Sequence, residues 1–420
     1  MKRLRIASLT TFYPPYSFGG DAVDVQRTAR ALARRGHDVT VIYDRDAFHS
    51  VANGRNPEPP PPDPDVEVIA LESRLGNFSP LLTHQFGRPV VHGAALDRLD
   101  RERRFDVVLL NNMSLVGGPG LLGFGREAVR LYVAHEHWLV CPSHVLWKYT
   151  DEACDTRDCL RCVLASKRPP QLWRYTGTLT RALANVDVFI ARSEFSRRKH
   201  REYGFPREMD VVPYFVPLPE QPFEGPSPHA RPYFFFAGRL EPIKGIDDLI
   251  RAFPPDCGAD LLIAGDGTQE ADLRALAAGH PRVQFLGRLP VERLAAYYRH
   301  AVATVVPSRC YETFGLVVAE AFAQGTPVIA RDIGPLPELI RTAGVGAIFG
   351  SNEDLAATLR EWSGRAGQDR HLGDVARAAV AAHWSEDAVI GRYLEIIERE
   401  LSRRADGPGG RTPAVAGAAS

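Results

Sequence analysis

No stretch of the chain approaches the roughly 20 uninterrupted apolar residues that a bilayer-spanning helix needs, which argues against an integral membrane protein. The opening MKRLRIASLTTFYPPY is basic and then apolar, but threonines interrupt the apolar stretch and Pro14 and Pro15 end it. That pattern predicts a first strand, not a secretory signal. Neither sign of charge is in surplus: Lys plus Arg and Asp plus Glu both total 51. Such a balance removes the global basic field of a nucleic-acid binder, so any anion site must be local. Cysteine is scarce, with six residues in 420. Without an export signal, thiols imply a reducing compartment, so the expectation is a cytoplasmic chain without structural disulfides that meets a membrane at most peripherally. The dinucleotide fingerprint G-x-G-x-x-G is also missing from the first turn, where FGG stands instead.

What is present points to two domains. A chain of 420 residues exceeds what one core usually serves. Apolar runs alternate with amphipathic stretches: RIASLTTF, a helix through VDVQRTARALARRG, then HDVTVIYD, with FDVVLLNN, AVRLYVAHE and VDVFIARS further on. This is the pattern of a parallel sheet covered on both faces. The proline-rich NPEPPPPDPD at 56–65 predicts an exposed loop. Alternation restarts at PYFFFAGRL after a proline-rich stretch at 216–232. The predicted organisation is an N-terminal Rossmann-like, acceptor-side domain at 1–215, a linker at 216–232, and a C-terminal Rossmann-like domain at 233–384. A final helix at about 385–404 should return to the first domain, and a disordered tail occupy 405–420.

Two segments carry the chemistry: FFFAGRLEPIKGIDDLI at 234–250 and YETFGLVVAEAFAQGTPVIARDIGPLPELI at 311–340. Arg239 and Lys244 follow a strand and flank a tight turn, so a planar fork and a point charge can converge on one diphosphate. Read alone, the same pair could be solvated surface charge. Glu312, Thr313, Phe314, Gly315 and Leu316 lead into the helical LVVAEAFAQG, whose start offers backbone donors to a phosphate. Glu320 falls eight residues after Glu312, about two helical turns on and near the same face. Its alanine-flanked position makes an unpaired carboxylate costly, which favours a ligand partner.

These motifs resemble glycosyltransferase family 4, the retaining GT-B enzymes, whose pattern joins G-R-L-x-x-x-K-G to a later E-x-F-G-x-x-x-x-E-A-x-A-x-G-x-P-V. The resemblance implies two Rossmann-like domains facing a central cleft. It also implies metal-independent transfer of a sugar from a UDP- or GDP-sugar to a small molecule, a glycan or a lipid-linked acceptor. Glu312 would lie beside the donor sugar hydroxyls and Glu320 would hold the ribose. FYPPYSFGGDAVDVQ matches the family's glycine-rich loop, so Gly19 and Gly20 would let backbone approach the phosphates, with Asp21 facing sugar or acceptor. HEHWLVCP matches H-x-x-W-x-x-C-P, favouring His135 over the adjacent His137 as the histidine near the transferred sugar. The implied catalytic set is His135, Arg239, Lys244 and Glu312.

Other classes share part of this pattern. A nicotinamide-dependent oxidoreductase shares the Rossmann halves and an acid after the second strand, Asp44, but not the glycine fingerprint. A metal-dependent GT-A transferase would need a D-x-D such as Asp44–Asp46 or Asp63–Asp65. A nucleotide-sugar epimerase on a GT-B scaffold stays open at this level, whereas the presence of both anionic-ligand motifs argues against a non-catalytic sugar-binding module. The loops around 44–90 and 141–172 are the expected acceptor determinants. Within the second, Cys141, Cys154, Cys159 and Cys162 end in C-x-x-C, which allows either a structural zinc or four reduced thiols.

Overall fold

The computed structural model describes residues 2–52, 54–59, 61–364 and 370–406. Its first half contains β1 (Arg5–Leu9), β2 (Asp38–Asp44), β3 (Val66–Leu71), β4 (Val107–Leu110), β5 (Val129–Ala134), β6 (Trp147–Lys148), β7 (Glu152–Ala153), β8 (Val188–Ala191) and β9 (Met209–Val211). Seven of these form one sheet in the order β3-β2-β1-β4-β5-β8-β9, while β6 and β7 make a separate antiparallel pair. All neighbours in the large sheet are parallel. Every residue of β4, β5 and β8 is buried, as strands flanked by helices on both faces require.

The second half repeats the plan with β10 (Tyr233–Ala237), β11 (Asp260–Ala264), β12 (Val283–Gly287), β13 (Ala303–Val306), β14 (Val328–Arg331) and β15 (Ala347–Phe349). These run parallel in the order β12-β11-β10-β13-β14-β15. In each sheet the strand order reverses beside the first strand, between β1 and β4 and between β10 and β13. Crevices open at the carboxyl ends of such switch points. The segments after β1 and β4 carry Gly19, Gly20 at the start of the following helix, and Asn111; those after β10 and β13 carry Arg239, Lys244 and Glu312.

Helix Gly20–Arg34 follows β1 and stops where Gly36 takes a φ of +88°. The long helix Glu386–Ala405, whose N-cap Ser385 accepts from the N–H of Ala388, packs on the first half. Its Ile390 and Tyr393 enter the core beneath β1 and β5, and its Arg399 pairs with Asp210 at 2.6 Å. Among the described residues no helix is long and apolar enough to cross a membrane.

Several local expectations change. Between its loops, the stretch 44–90 holds helix Arg45–Val51, β3 and helix Phe78–Phe86. Asp44 supplies the N-cap, its carboxylate accepting from Ala47 N at 3.0 Å. The strand at MDVVPYFV covers only Met209–Val211, because the side chains beyond it leave the sheet to pack between the halves. The tail after residue 406 lies outside the described residues.

Candidate active site

The second half builds its cradle from two adjacent loops. Past β10 the backbone turns through Pro242–Lys244, and Gly245 adopts a φ of +64° with no room for a side chain, since a Cβ there would lie 2.3 Å from Pro307 O. This close approach brings Lys244 to the loop after β13. Lys244 Nζ donates to Glu312 Oε1 at 2.7 Å, and Ser308 Oγ donates to the same oxygen at 2.7 Å. Burial pushes the Glu312 carboxyl up, but Lys244, Ser308 and the Arg239 charge outweigh it and leave the group below its ordinary value. For Lys244, burial works against the charge while Glu312 restores it, with a net rise. Both groups therefore stay ionised at neutral pH. Arg239 is exposed and its side chain makes no hydrogen bond or ion pair among the described residues, leaving its five donors free.

Glu312 sits in the loop, not on the helix. Helix Leu316–Ala323 begins four residues later, after Gly315 at a φ of +111°. The expectation that Glu312 and Glu320 share a helical face is therefore wrong: Glu312 lies ahead of the helix and Glu320 within it. The first N–H groups of this helix lack intrahelical acceptors, so its start is polarised toward an anion. Glu320 is also not without protein partners. Tyr298 donates to it at 3.5 Å, and Arg27 of the first half approaches to 3.9 Å. Burial raises its carboxyl above the ordinary value despite Arg27.

The first half contributes a buried polar knot. His135 directly follows β5, with 7% of its surface exposed. Asn111 fixes its orientation by donating to Ser8 Oγ at 3.0 Å and Leu9 O at 3.1 Å, which aims Oδ1 at His135 Nε2, 2.9 Å away. Nε2 must then donate, and Tyr214 Oη donates to Nδ1 at 3.0 Å. Arg192 completes the knot: it pairs with Asp24, donates to Tyr393 Oη at 2.8 Å, and lies over the Tyr214 ring at 4.2 Å. Burial first, and the Arg192 charge second, hold His135 neutral. Both ring nitrogens are thus engaged within the protein. Burial pushes Asp24 up to about 6 against the pull of Arg192.

Neither Arg192 nor Asp24 was singled out from sequence, although a signal existed. Asp24 falls on the buried stripe of its helix with Val25, Thr28 and Leu32, and Arg192 directly follows the apolar run VFIA. His137, the competitor, packs on His200 and meets Tyr311 O at 3.1 Å.

The halves touch at the site. Thr313 Oγ1 donates to His135 O at 3.0 Å and Ser193 Oγ donates to Thr313 O at 2.7 Å. Phe314 packs on Tyr214. A Cβ on Gly20 would lie 2.6 Å from Leu316 Cδ1, so this glycine admits the opposite half. Glu338 caps helix Glu194–Glu202 from across the cleft, accepting from the N–H groups of Glu194 and Phe195 at 3.0 Å each. Gly19 precedes helix Gly20–Arg34 in extended backbone, and Asn112 donates to Asp21 at 3.4 Å. Burial, then the nearby Glu136 charge, raise the Asp21 carboxyl.

All six cysteines are unpaired. Cys141 and Cys154 share a small core with Leu146 and Tyr203, and Tyr149 N donates to Cys162 Sγ at 3.4 Å. Among the described residues, the group with ligand atoms mutually within 4.8 Å is Asp44, Asp46 and His92, not any three of Cys141, Cys154, Cys159 and Cys162. The four thiols nonetheless share one neighbourhood, since Cys141, Cys154 and Cys162 all act electrostatically on Cys159. Asp46 is occupied by Ser73, whose N–H donates at 3.0 Å, and Asp63 by Arg30 at 2.6 Å, so neither D-x-D faces the cradle.

Comparison with known proteins agrees with this geometry. Residues 18–220 match the family described as Glycosyltransferase Family 4, and residues 219–378 match Glycosyl transferases group 1. Glycogen synthase of Mycobacterium tuberculosis (strain ATCC 25618 / H37Rv) is 29% identical over 387 residues, 85% of each chain. Among solved structures, sucrose-phosphate synthase from Thermosynechococcus elongatus covers 95% of this chain and 100% of its own, with a TM-score of 0.69 at 20% identity. Anabaena HepE in complex with UDP-glucose covers 96% and 100%, with a TM-score of 0.63 at 18% identity. The chain belongs to glycosyltransferase family 4 and has the GT-B fold. It is a glycosyltransferase that draws on a nucleotide-sugar donor, and nothing in these likenesses supports an epimerase or an oxidoreductase.

Proposed function

We propose that the loops after β10 and β13 bind the diphosphate of a UDP- or GDP-sugar and that transfer proceeds with retention at the anomeric carbon. The observation that carries this reading is the Lys244–Glu312–Ser308 contact beside an unpartnered Arg239, at the start of helix Leu316–Ala323. Two fixed cations and oriented N–H groups of Thr313, Phe314, Gly315 and Leu316 meet the charge that develops on the leaving diphosphate. The leaving phosphate oxygen takes the proton of the acceptor hydroxyl as the new glycosidic bond forms on the same face. Glu312, ionised and anchored at one oxygen by Lys244 and Ser308, offers its remaining acceptor capacity to donor-sugar hydroxyls. Glu320 takes the ribose hydroxyls, exchanging its long contact with Arg27 for two shorter ones.

In the first half, Gly19 and Gly20 keep the backbone close to the phosphates, and Asp21 faces the acceptor. His135 works as a positioning residue: neutral and locked, it fixes the end of β5 and holds Thr313 through its carbonyl. Because the cationic pair supplies the charge that a divalent ion would, activity should survive chelation. Incubating the protein with UDP-glucose, GDP-mannose and related donors, then following thermal stabilisation and product anomer, tests the reading. Stabilisation by a nucleotide sugar and an axial-to-axial outcome are expected; an inverted product would overturn it.

A further inference from the structure

The chain's charges balance, yet segments 74–90 and 159–181 contain seven Lys or Arg residues and no Asp or Glu. Arg174 stacks inward on Trp138 and Trp173, while Arg74, Arg88, Arg161, Lys167, Arg168 and Arg181 are exposed. The same segments hold nine of the fifteen large apolar side chains exposed among the described residues.

Helix Phe78–Phe86 is turned inside out. It buries Ser79, Pro80 and Thr83 and presents Phe78 at 67%, Leu81 at 46% and Phe86 at 58% exposure. The turn Leu172–Tyr175 does likewise, burying Trp173 and presenting Leu172 at 65% and Tyr175 at 64%. The two lie on one surface, for Trp173 Nε1 donates to His84 O at 2.8 Å, and a Cβ on Gly87 would lie 2.9 Å from the Trp173 ring. Helix Cys159–Ala165 leads into this surface through Lys167 and Arg168 and adds Leu164 at 56% exposure.

Large apolar side chains held out of the core and ringed by basic residues, with carboxylates only at the margin (Asp97 and Asp100 beside Arg88, Asp158 beside Arg161), need an apolar phase with an anionic rim. We propose that this face of the first domain docks on an anionic lipid surface, the side chains of Phe78, Phe86, Leu172 and Tyr175 entering the interface and the basic residues meeting lipid phosphates. A second copy of the chain is the poorer occupant, because pairing the patch with itself sets like charges against each other. Docking stands apart from the transfer chemistry, since none of these residues belongs to the cradle. Its consequence is that the acceptor-side half sits where lipid-linked acceptors are found.

The test is sedimentation of the full chain with vesicles of phosphatidylcholine alone or with 30% phosphatidylglycerol, at low and high salt. Binding to the mixed vesicles, weak binding to the neutral ones and loss with salt are expected. Phe78→Ser/Leu172→Ser/Tyr175→Ser and Arg88→Glu/Arg168→Glu should each lower that binding by about tenfold or more, while Val291→Ser, an exposed apolar residue of the second half, should not. Thermal stabilisation by UDP or GDP, unchanged in the patch variants, shows that they fold and separates failure of docking from failure of the donor site. Equal binding by wild type and patch variants overturns the proposal. So does a concentration-dependent dimer that the triple serine variant abolishes without any vesicle binding.

Discussion

The two halves of the molecule share one architecture but write their sites differently. In the second half the reactive groups lie in two short runs, Arg239 to Lys244 and Ser308 to Glu320, and each sits in a loop or helix start beside the sheet's switch point. In the first half the polar knot draws Asp24, Asn111, His135, Arg192, Tyr214 and Tyr393 from six separate elements or loops, and every one is buried. A site that grips a fixed chemical group, a diphosphate, can be built from contiguous loop residues. A site that holds two domains and a returning helix in register must draw on distant segments. The difference predicts that damage to the second half acts on chemistry, whereas damage to the first acts on stability and closure.

The largest effect expected is on turnover. Arg239→Ala or Lys244→Ala should lower kcat by about 10²–10³-fold, the loss that follows removal of one transition-state charge contact, with melting temperature little changed for exposed Arg239. Near-wild-type turnover in both variants would remove the cradle from the mechanism. Arg192→Met should behave in the opposite way. It leaves Asp24 buried without its partner, at a cost of about 3–5 kcal/mol of stability by denaturant titration, and Asp24→Asn in the same chain should recover part of that loss. If Arg192→Met instead keeps its stability and loses only turnover, the contrast between the halves collapses.

Smaller effects sharpen the division. Glu320→Gln should weaken binding of free UDP or GDP by about tenfold, whereas Glu312→Gln should spare the free nucleotide and lower affinity for the intact donor. Equal losses for both ligands in the Glu312 variant would count against its contact with the sugar. The buried histidines give a pH signature confined to the first half. Burial lowers His137 to about 3 and His200 to about 4, both from an ordinary 6.5. Below pH 6.5 the unfolded chain takes protons that the folded chain refuses, so their contribution is intact at pH 7 and lost as the pH falls toward 4. The stability gap between wild type and His200→Gln should therefore shrink by up to about 1.4 kcal/mol per pH unit over that window. A gap that holds constant would show that His200 is protonated in the fold.

This asymmetry also governs how much could be read in advance. The alternation of strand and helix patterns foretold both parallel sheets, because strands buried on both faces must be continuously apolar. Arg239, Lys244, Glu312 and Glu320 were legible because they fall in two compact runs, although the contact that joins the runs, Lys244 to Glu312, spans 68 residues. Two geometric details were not. Counting two helical turns from Glu312 to Glu320 suggests one face, but Glu312 lies in the loop and the helix begins only at Leu316. The hydrogen bonds of His135 were not foreseen, since Asn111 and Tyr214 reach it from 24 and 79 residues away. The four cysteines show what spacing can do: C-x-x-C and two distant thiols are gathered in one neighbourhood, where Cys162 also accepts from Tyr149 N and Cys154 donates to the Thr156 carbonyl.

Calorimetric titration of UDP and GDP into wild type, Lys244→Ala and Arg192→Met tests the division between the halves most directly. Wild type should bind one of the two nucleotides, Lys244→Ala should bind it at least about tenfold more weakly, and Arg192→Met, held below its lowered melting temperature, should bind within about twofold of wild type. Nucleotide affinity that survives Lys244→Ala and fails in Arg192→Met would contradict the account.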